Sequence, residues 1–181
     1  MLDISTGYNK YKFIGNEFLT WIWYLTENDE DILSITGSGY KNISLEIGNS
    51  LVLENDKKKE SPEKITIKGD KAGLEEGLTA LKKGAVVTEI NLLLTLDEDE
   101  FKFTIKGESL NITGLKTPSY KSSEDTGSDE VEGSVIEKAY FCDRVFGFID
   151  ILFNTYMERR TSESFTSGDL HKIRSWAESY N

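Results

Sequence analysis

The chain has 181 residues, 38% of them hydrophobic, and a formal net charge of −11 at pH 7. Such a length can bury one good hydrophobic core, or two small cores that share an interface. The acidity argues against a protein whose whole surface attracts nucleic acid, because phosphate binding usually needs clustered Lys and Arg. Nearly half of the net charge comes from acidic residues between Glu124 and Glu132, so the rest of the chain still has room for a local basic patch.

Three features of the sequence concern its location. No apolar run reaches the roughly 18–20 residues that a membrane-spanning helix needs. The N-terminus, Met1 to Ile4, lacks the basic start and apolar centre of a signal peptide. Cys142 is the single cysteine, which excludes an internal disulfide and is consistent with a reducing cytoplasm. We therefore expect a cytoplasmic protein that does not bind a membrane.

An aromatic helix is predicted over Glu17 to Glu27, after a short strand at Lys10–Phe13 and a helix start at Gly15-Asn16. Its apolar residues recur at helical spacing, although their β propensity leaves a strand as an alternative. So many aromatic side chains in one short helix indicate deep burial, either in the core or against a partner. The apolar positions are Phe18, Trp21, Ile22, Trp23, Tyr24 and Leu25.

The next region is predicted to be a meander of short strands. Ile32–Thr36 and Ile43–Ile47 alternate between apolar and polar residues, with a Gly-Ser-Gly turn between them. Leu51–Leu53 follows a second turn, Gly-Asn-Ser, and Ile65 and Ile67 mark a later strand. A charged loop before that later strand carries three consecutive lysines, which are more often solvated than bound to phosphate. They are Lys57, Lys58 and Lys59.

A helix follows, and its two ends are marked by the sequence. Leucines recur at helical spacing between an N-cap at Asp70 and a helix-ending Gly84. Lys82 and Lys83 occupy the last turn, where cations suit the negative end of the helix dipole. The recurring leucines are Leu74, Leu78 and Leu81.

A β-hairpin is predicted directly after this helix. Val86–Leu96 is rich in Val, Ile and Leu, and the acidic turn Asp97–Glu100 connects it to a second strand that ends near Lys106. In the second strand, apolar residues alternate with Lys102 and Lys106. One face of the hairpin is therefore expected to be apolar, and the other wet and lysine-bearing.

The remaining chain is predicted to form a short extended piece near Ile112, a linker and two helices. Ser119–Gly133 is rich in Ser, Asp, Glu and Gly, and we expect a flexible linker there. A long helix runs from Ser134 to about Arg160, and its apolar arc is too broad for packing on one layer alone. Ser167 is expected to cap a short final helix.

These elements predict an α+β fold: an antiparallel sheet meander with helices packed on it and a long C-terminal helix. Residues 1–118 would form the sheet domain and residues 119–133 the acidic linker. Residues 134–181 would form a helical segment that packs back on the sheet or on a partner.

No catalytic motif stands out in the sequence. The single His171 has no cysteine companion at ligand spacing, and the chain has no GxGxxG, P-loop or GxSxG motif. Acidic pairs at the hairpin tip, such as Asp97 and Asp99, could hold Mg²⁺ in a nuclease, but acidic residues are also common in solvated turns. We expect a binding or assembly protein rather than an enzyme, with no cofactor and no bound metal.

Three stretches, in the same order, resemble the recombination-associated protein RdgC family. Phe13–Tyr24 is similar to the Gly-x-Glu-Phe-Leu-x-Trp-Leu-Trp stretch of shorter members. Leu81–Leu92 resembles the family's helix-Gly-Lys-Val-Val-Thr-Lys-Leu segment and continues through Phe101–Ile105, and Ala139–Tyr156 takes the place of its apolar C-terminal helix. The resemblance covers most of this chain but only the C-terminal part of the longer family members.

The resemblance implies a nucleoid-associated protein that binds double-stranded DNA without sequence preference. The family forms a ring-shaped dimer with DNA through a basic hole, and it limits access of the RecA recombinase. For this chain, the resemblance implies a homo-oligomer, or an assembly in which a partner protein supplies the missing N-terminal part. Its DNA surface would consist of cations that neutralise phosphates. The best candidates are Lys82, Lys83, Lys102 and Lys106, followed by Lys57, Lys58, Lys59, Arg159 and Arg160.

A second hypothesis explains the acidity better. The chain would be a protein–protein interaction module, half of a two-protein assembly, without DNA affinity of its own. Its interface would use aromatic side chains of the first helix or of the long C-terminal helix as hot spots. The candidate interface residues are Trp21, Trp23, Phe146 and Phe153.

Overall fold

The computed structural model describes residues 4–28, 39–55, 63–68, 71–118 and 128–179. The predicted Ile32–Thr36 strand, the run from Lys57 to Lys59 and the Asp70 cap lie outside these ranges. The described residues form four helices and five strands. In chain order they are α1 (Ile4–Asn28), β1 (Ile43–Asn55), β2 (Glu63–Lys68), α2 (Lys71–Lys82), β3 (Val86–Leu96), β4 (Asp99–Lys106), β5 (Asn111–Lys116), α3 (Ser128–Thr161) and α4 (Asp169–Ser179).

One antiparallel sheet carries the helices on a single face. Its strand order is β2-β1-β3-β4-β5, and all neighbouring strands are antiparallel. Along β4, Phe101 and Phe103 are buried under the helices, whereas the alternating Lys102 belongs to the opposite face. On that second face, Leu93 is 41% exposed, so no described helix covers it. The predicted α+β fold with an antiparallel sheet is confirmed.

Helix α1 is the centre of the core. From Phe18 to Leu25 every residue except Thr20 is buried, and Trp23 has no exposed surface at all. The helix packs on β1 and β3 and also contacts α3 and α4. A helix that is apolar all round needs cover all round, which the sheet and the other helices supply together. The predicted aromatic helix is confirmed, and the strand alternative is wrong.

The N-terminal part of α1 differs from the prediction. Lys10–Phe13 is helical rather than a strand, and Gly15-Asn16 lies inside the helix rather than at its start. A methyl group on Gly15 would lie 1.8 Å from the backbone oxygen of Gly107. The glycine therefore permits a close approach between α1 and the chain after β4, and it does not mark a helix boundary.

Strand β1 is continuous where two short strands were predicted. The expected Gly-Asn-Ser turn is a bulge, where the β1–β3 register shifts between Ile47 and Leu51. Asn91 of β3 bridges it: the Asn49 backbone N–H donates to the Asn91 side-chain oxygen at 3.1 Å, and the Asn91 amide donates to the Phe103 carbonyl at 3.0 Å. A buried polar side chain thus replaces ladder hydrogen bonds that the bulge removes.

Local sequence signals located α2 and the hairpin correctly. Helix α2 ends in a Schellman motif, in which the Gly84 N–H donates to the Leu81 carbonyl at 2.8 Å and the Ala85 N–H to the Ala80 carbonyl at 3.0 Å. Gly84 has a φ of 88°, a conformation that favours glycine. Strands β3 and β4 form the predicted hairpin, and Asp97 with a φ of 61° lies in its turn. The short strand before the linker is β5.

The C-terminal helices begin at other residues than predicted. Helix α3 starts at Ser128 rather than Ser134, so residues 128–133 of the predicted linker are helical, and the remainder lies outside the described ranges. Acidic residues are favourable in the first turn of a helix, so a composition that suggests a linker also suits a helix start. Ser167 does not cap α4: its hydroxyl donates to the Ser164 carbonyl at 3.4 Å, and α4 starts at Asp169.

Arg144 fastens α3 to the β3–β4 turn. Its guanidinium donates to Asp99, to Asp97 at 3.3 Å and to the Leu96 carbonyl at 3.1 Å. The side chain is only 12% exposed and lies 5.6 Å from the ring centroid of Tyr40. A largely enclosed cation with this many partners fixes where the long helix crosses the sheet.

Two helical glycines provide a matched test of the α1 packing. Gly15→Ala should lower the free energy of unfolding by about 2 kcal/mol or more, because overpacking against a backbone oxygen outweighs the gain in helix propensity. Gly147→Ala on α3, where nothing lies within 4 Å of the added methyl, should raise it by about 0.5–1 kcal/mol. Urea unfolding measures both changes. An equal effect at the two positions would contradict the close approach at Gly15.

Candidate functional site

A groove lined mainly by apolar residues, together with Asn111 and Asp150, lies between α3 and the edge strand β5. Its volume is about 470 Å³, and Phe18 of α1 meets Phe153 within it, with ring centroids 5.0 Å apart. Phe146 is 46% exposed here, whereas the neighbouring Ile149 is 8% exposed. This α3–β5 groove is lined by Phe18, Ile105, Leu110, Asn111, Ile112, Phe146, Ile149, Asp150 and Phe153.

Helix α3 also carries exposed apolar side chains beyond the groove, on more than one side of the helix. Of the eight large hydrophobic side chains exposed in the described part of the chain, five belong to this helix. Exposed apolar clusters usually mark sites of interaction rather than accidents of composition. The five are Val135, Ile136, Tyr140, Phe146 and Ile151.

Two apolar seams run along α3, and the second contains one of these five exposed residues, Phe146. Residues spaced alternately four and three apart form one seam that faces the core, as coiled-coil-like packing requires. A neighbouring seam with the same spacing leads into the groove, so the broad apolar arc predicted for this helix is confirmed. The core seam is Phe141, Val145, Phe148 and Leu152, and the second seam is Ala139, Cys142, Phe146, Ile149 and Phe153.

Strand β5 forms one edge of the sheet but is poorly suited to pairing with another strand. Its ladder with β4 is irregular between Lys102 and Thr104, and Gly114 has a φ of 64°. Bulged and twisted edges resist strand addition. The groove beside β5 is therefore a better docking feature than the edge itself.

The second face of the sheet carries the two predicted β4 lysines. Lys102 pairs in register with Lys116 of β5, and glutamates are interleaved among the lysines. Lys64 is paired with two of these glutamates, since its ammonium nitrogen lies 3.8 Å from Glu54 and 3.9 Å from Glu89. The face is therefore close to neutral. Its charged residues are Lys64, Lys68, Lys102, Lys106 and Lys116 with Glu46, Glu54, Glu89 and Glu100.

The other predicted DNA-binding residues do not join this face. Lys82 and Lys83 end α2 in the helix layer, and Arg159 and Arg160 end α3. Arg159 is held by Asp169 through hydrogen bonds of 3.0 and 2.8 Å. The predicted set is thus divided between two surfaces. The β4 lysines lie on the second face of the sheet, whereas the cations at the helix ends lie in the helix layer on the opposite side. The remaining members, Lys57, Lys58 and Lys59, lie outside the described residues.

Two predicted interface residues are buried inside the chain instead. Trp21 packs against Tyr156 with centroids 5.4 Å apart, and Trp23 meets Trp176 edge-on at 5.1 Å. Their assignment to an interface is wrong, because an aromatic pattern indicates burial without distinguishing a core from a partner. Phe146, the third predicted residue, does reach the surface, and Phe153 lines the groove with it.

The β5 side of the groove was not foreseen. The sequence predicts a short extended piece near Ile112, but no local signal says which helix such a strand faces. The position of β5 in the sheet is set by its pairing with β4, in which Ile105 lies opposite Ile112. The packing of α3 over that edge is set by the rest of the chain.

A hydrogen-bond network joins α1 to the end of α3. The Glu17 carboxylate accepts from the Tyr156 hydroxyl at 3.1 Å and from Arg160 Nε at 2.8 Å. Burial, together with the Glu17 charge, raises the pKa of Tyr156 well above its usual value, since a phenolate there would be desolvated and repelled. The Arg160 guanidinium also lies 5.0 Å from the ring centroid of Phe165.

Two features are absent from the part of the chain that the structure describes. No group of three or more His, Cys, Asp or Glu side chains is placed to hold a metal ion. Among the same residues, no helix is long and apolar enough to cross a membrane.

Comparison with known proteins gives no relative to reason from. No protein-family model, curated protein or solved structure matches the chain. The resemblance to the RdgC family therefore stays a prediction, and function has to be argued from the surfaces described above.

Proposed function

We propose that this protein is a binding and assembly module whose α3–β5 groove docks a second copy of the chain. The observation that carries the proposal is Phe146, which is 46% exposed beside the groove, on the helix that holds five of the eight exposed large hydrophobic side chains of the described residues. An apolar centre containing aromatic anchors is typical of protein–protein interfaces. The proposed role is binding, not catalysis.

Two arguments favour a second copy over an unrelated partner. Most soluble assemblies are homo-oligomers, and a two-fold contact brings the same patch of both protomers together, so the seam of one copy can cover the groove of the other. Asp150 is the single acidic residue among those that line the groove. Two acidic chains can therefore meet at this face with little like-charge repulsion.

Phe146→Asp should abolish this assembly. A carboxylate in the apolar contact removes a hot spot and leaves a desolvated charge, so dimer affinity should fall by roughly 30-fold or more. Light scattering after size-exclusion chromatography measures the mass across a concentration series. Leu93→Asp is the matched control, because it puts the same charge in place of a similarly exposed residue on the second face of the sheet.

We expect the wild type and Leu93→Asp to dimerise. Phe146→Asp should have the mass of a monomer by light scattering and the wild-type circular dichroism spectrum, which shows that it is folded. A wild type that stays monomeric at the highest concentration would contradict a second copy as the occupant. A dimer that survives Phe146→Asp would contradict the groove as the interface.

A second candidate function is non-specific binding of double-stranded DNA, with modulation of RecA-dependent recombination as its consequence. One observation favours it: Lys102, Lys106 and Lys116 share the uncovered face of the sheet, where the charge is close to neutral on an otherwise acidic chain. The interleaved glutamates argue against it, because they compete with phosphates for the same lysines. We therefore rank it below assembly.

Salt dependence tests the DNA hypothesis. If Lys102 and Lys106 contact phosphates, replacing both with Gln should lower the slope of log affinity against log salt by about 1.8, since each contact contributes about 0.9. Fluorescence anisotropy with random-sequence duplexes measures the slope. Replacing Lys172 and Arg174, two exposed cations of α4, removes equal charge elsewhere and should leave it unchanged. An unchanged slope in the Lys102/Lys106 variant, or no wild-type binding at low salt, would exclude this surface.

A further inference from the structure

A second pocket lies where all four helices meet, away from the α3–β5 groove. Its volume is about 270 Å³, just below the range of roughly 300–1,000 Å³ that drug-sized ligands occupy, so it suits a smaller ligand. The end of α2, the end of α3, the connection between α3 and α4, and one side of α1 form its walls. Its apolar lining includes Trp21, Leu81, Val86, Phe165, Leu170 and Ile173.

The polar end of this pocket pairs one anion with one cation. Both hydrogen bonds to Glu17, from Tyr156 and Arg160, reach the same oxygen, Oε2. Within the described part of the chain, Glu17 Oε1 accepts no hydrogen bond, and Arg160 bonds Glu17 through Nε alone, so N–H groups of its terminal nitrogens remain for a ligand. The side chains are 42% and 36% exposed, so a ligand can reach these atoms without breaking the pair.

Charge decides which ligand suits this end. A ligand that carries only a carboxylate would be attracted by Arg160 and repelled by Glu17, and a ligand that carries only an ammonium would meet the reverse. A molecule that bears both groups on one carbon complements both side chains. Thr20 strengthens the anionic half: its hydroxyl donates to the Asn16 carbonyl at 2.9 Å, which leaves its oxygen lone pairs for an ammonium.

We propose that this pocket binds a small apolar α-amino acid. The carboxylate would take the terminal nitrogens of Arg160, the geometry that guanidinium groups favour for carboxylates. The ammonium would take Glu17 Oε1 and the Thr20 oxygen. The side chain would lie between Phe165, Leu170 and Ile173, where it exchanges water for apolar contacts.

Isothermal titration calorimetry of the full chain with L-leucine and L-phenylalanine tests the proposal. Two analogues probe the polar end on the wild-type protein: N-acetyl-L-leucine lacks the ammonium, and L-leucinamide lacks the carboxylate. We expect the free amino acids to bind and each analogue to bind at least about tenfold more weakly. Absence of binding by both amino acids, or an analogue that binds as tightly as leucine, would overturn the assignment.

A pair of charge-neutralising variants locates the site. Arg160→Gln should weaken leucine binding at least about tenfold, because it removes the carboxylate partner. Arg174→Gln removes the same charge from an exposed position of α4 outside the pocket, and binding should be unchanged. Equal affinity in the two variants would overturn the site. The analogue series keeps the test decisive on the wild type even if Arg160→Gln unfolds.

Discussion

The burial of the segment Phe18–Leu25 of helix α1 is the constraint on which the rest of the structure depends. Between Phe18 and Leu25 the helix is enclosed by apolar cover, and no single layer could provide it. The sheet covers one side, α3 covers another through the Trp21–Tyr156 contact, and α4 covers a third through Trp23 and Trp176. Gly15 allows the same helix to lie directly against the backbone beyond β4.

This arrangement leaves particular surfaces without cover. All described helices are needed on one face of the sheet, so the other face meets solvent with its interleaved lysines and glutamates. One seam of helix α3 packs on the core, and the second seam leaves Phe146 exposed beside the groove. The gap where the helix ends converge forms the pocket beside Arg160. The candidate sites are thus gaps between the elements that pack around α1.

Sequence reasoning succeeded where the deciding interactions are local. The leucine spacing and Gly84 located α2, and the alternation around Lys102 located the hairpin and its wet face. It failed where residues distant in the sequence determine the local structure. Gly15 has the pattern of a helix start, but its role is to let α1 approach Gly107. The residues from Gly48 to Ser50 have the pattern of a turn, but they form a bulge that Asn91 bridges. The apolar breadth of α3 is a local feature and could be predicted. The position of β5 beside Phe146 depends on distant residues and could not.

Amide hydrogen–deuterium exchange at low and high protein concentration tests the assembly claim most directly, because it needs no substitution. Assembly through the α3–β5 groove requires slower exchange at high concentration in Asn111–Lys116 and in the 139–153 part of α3, since docking suppresses local opening there. Exchange in β2, at the far edge of the sheet, should not change. Exchange that is independent of concentration, or protection at high concentration that spares both Asn111–Lys116 and the 139–153 part of α3, would contradict the account.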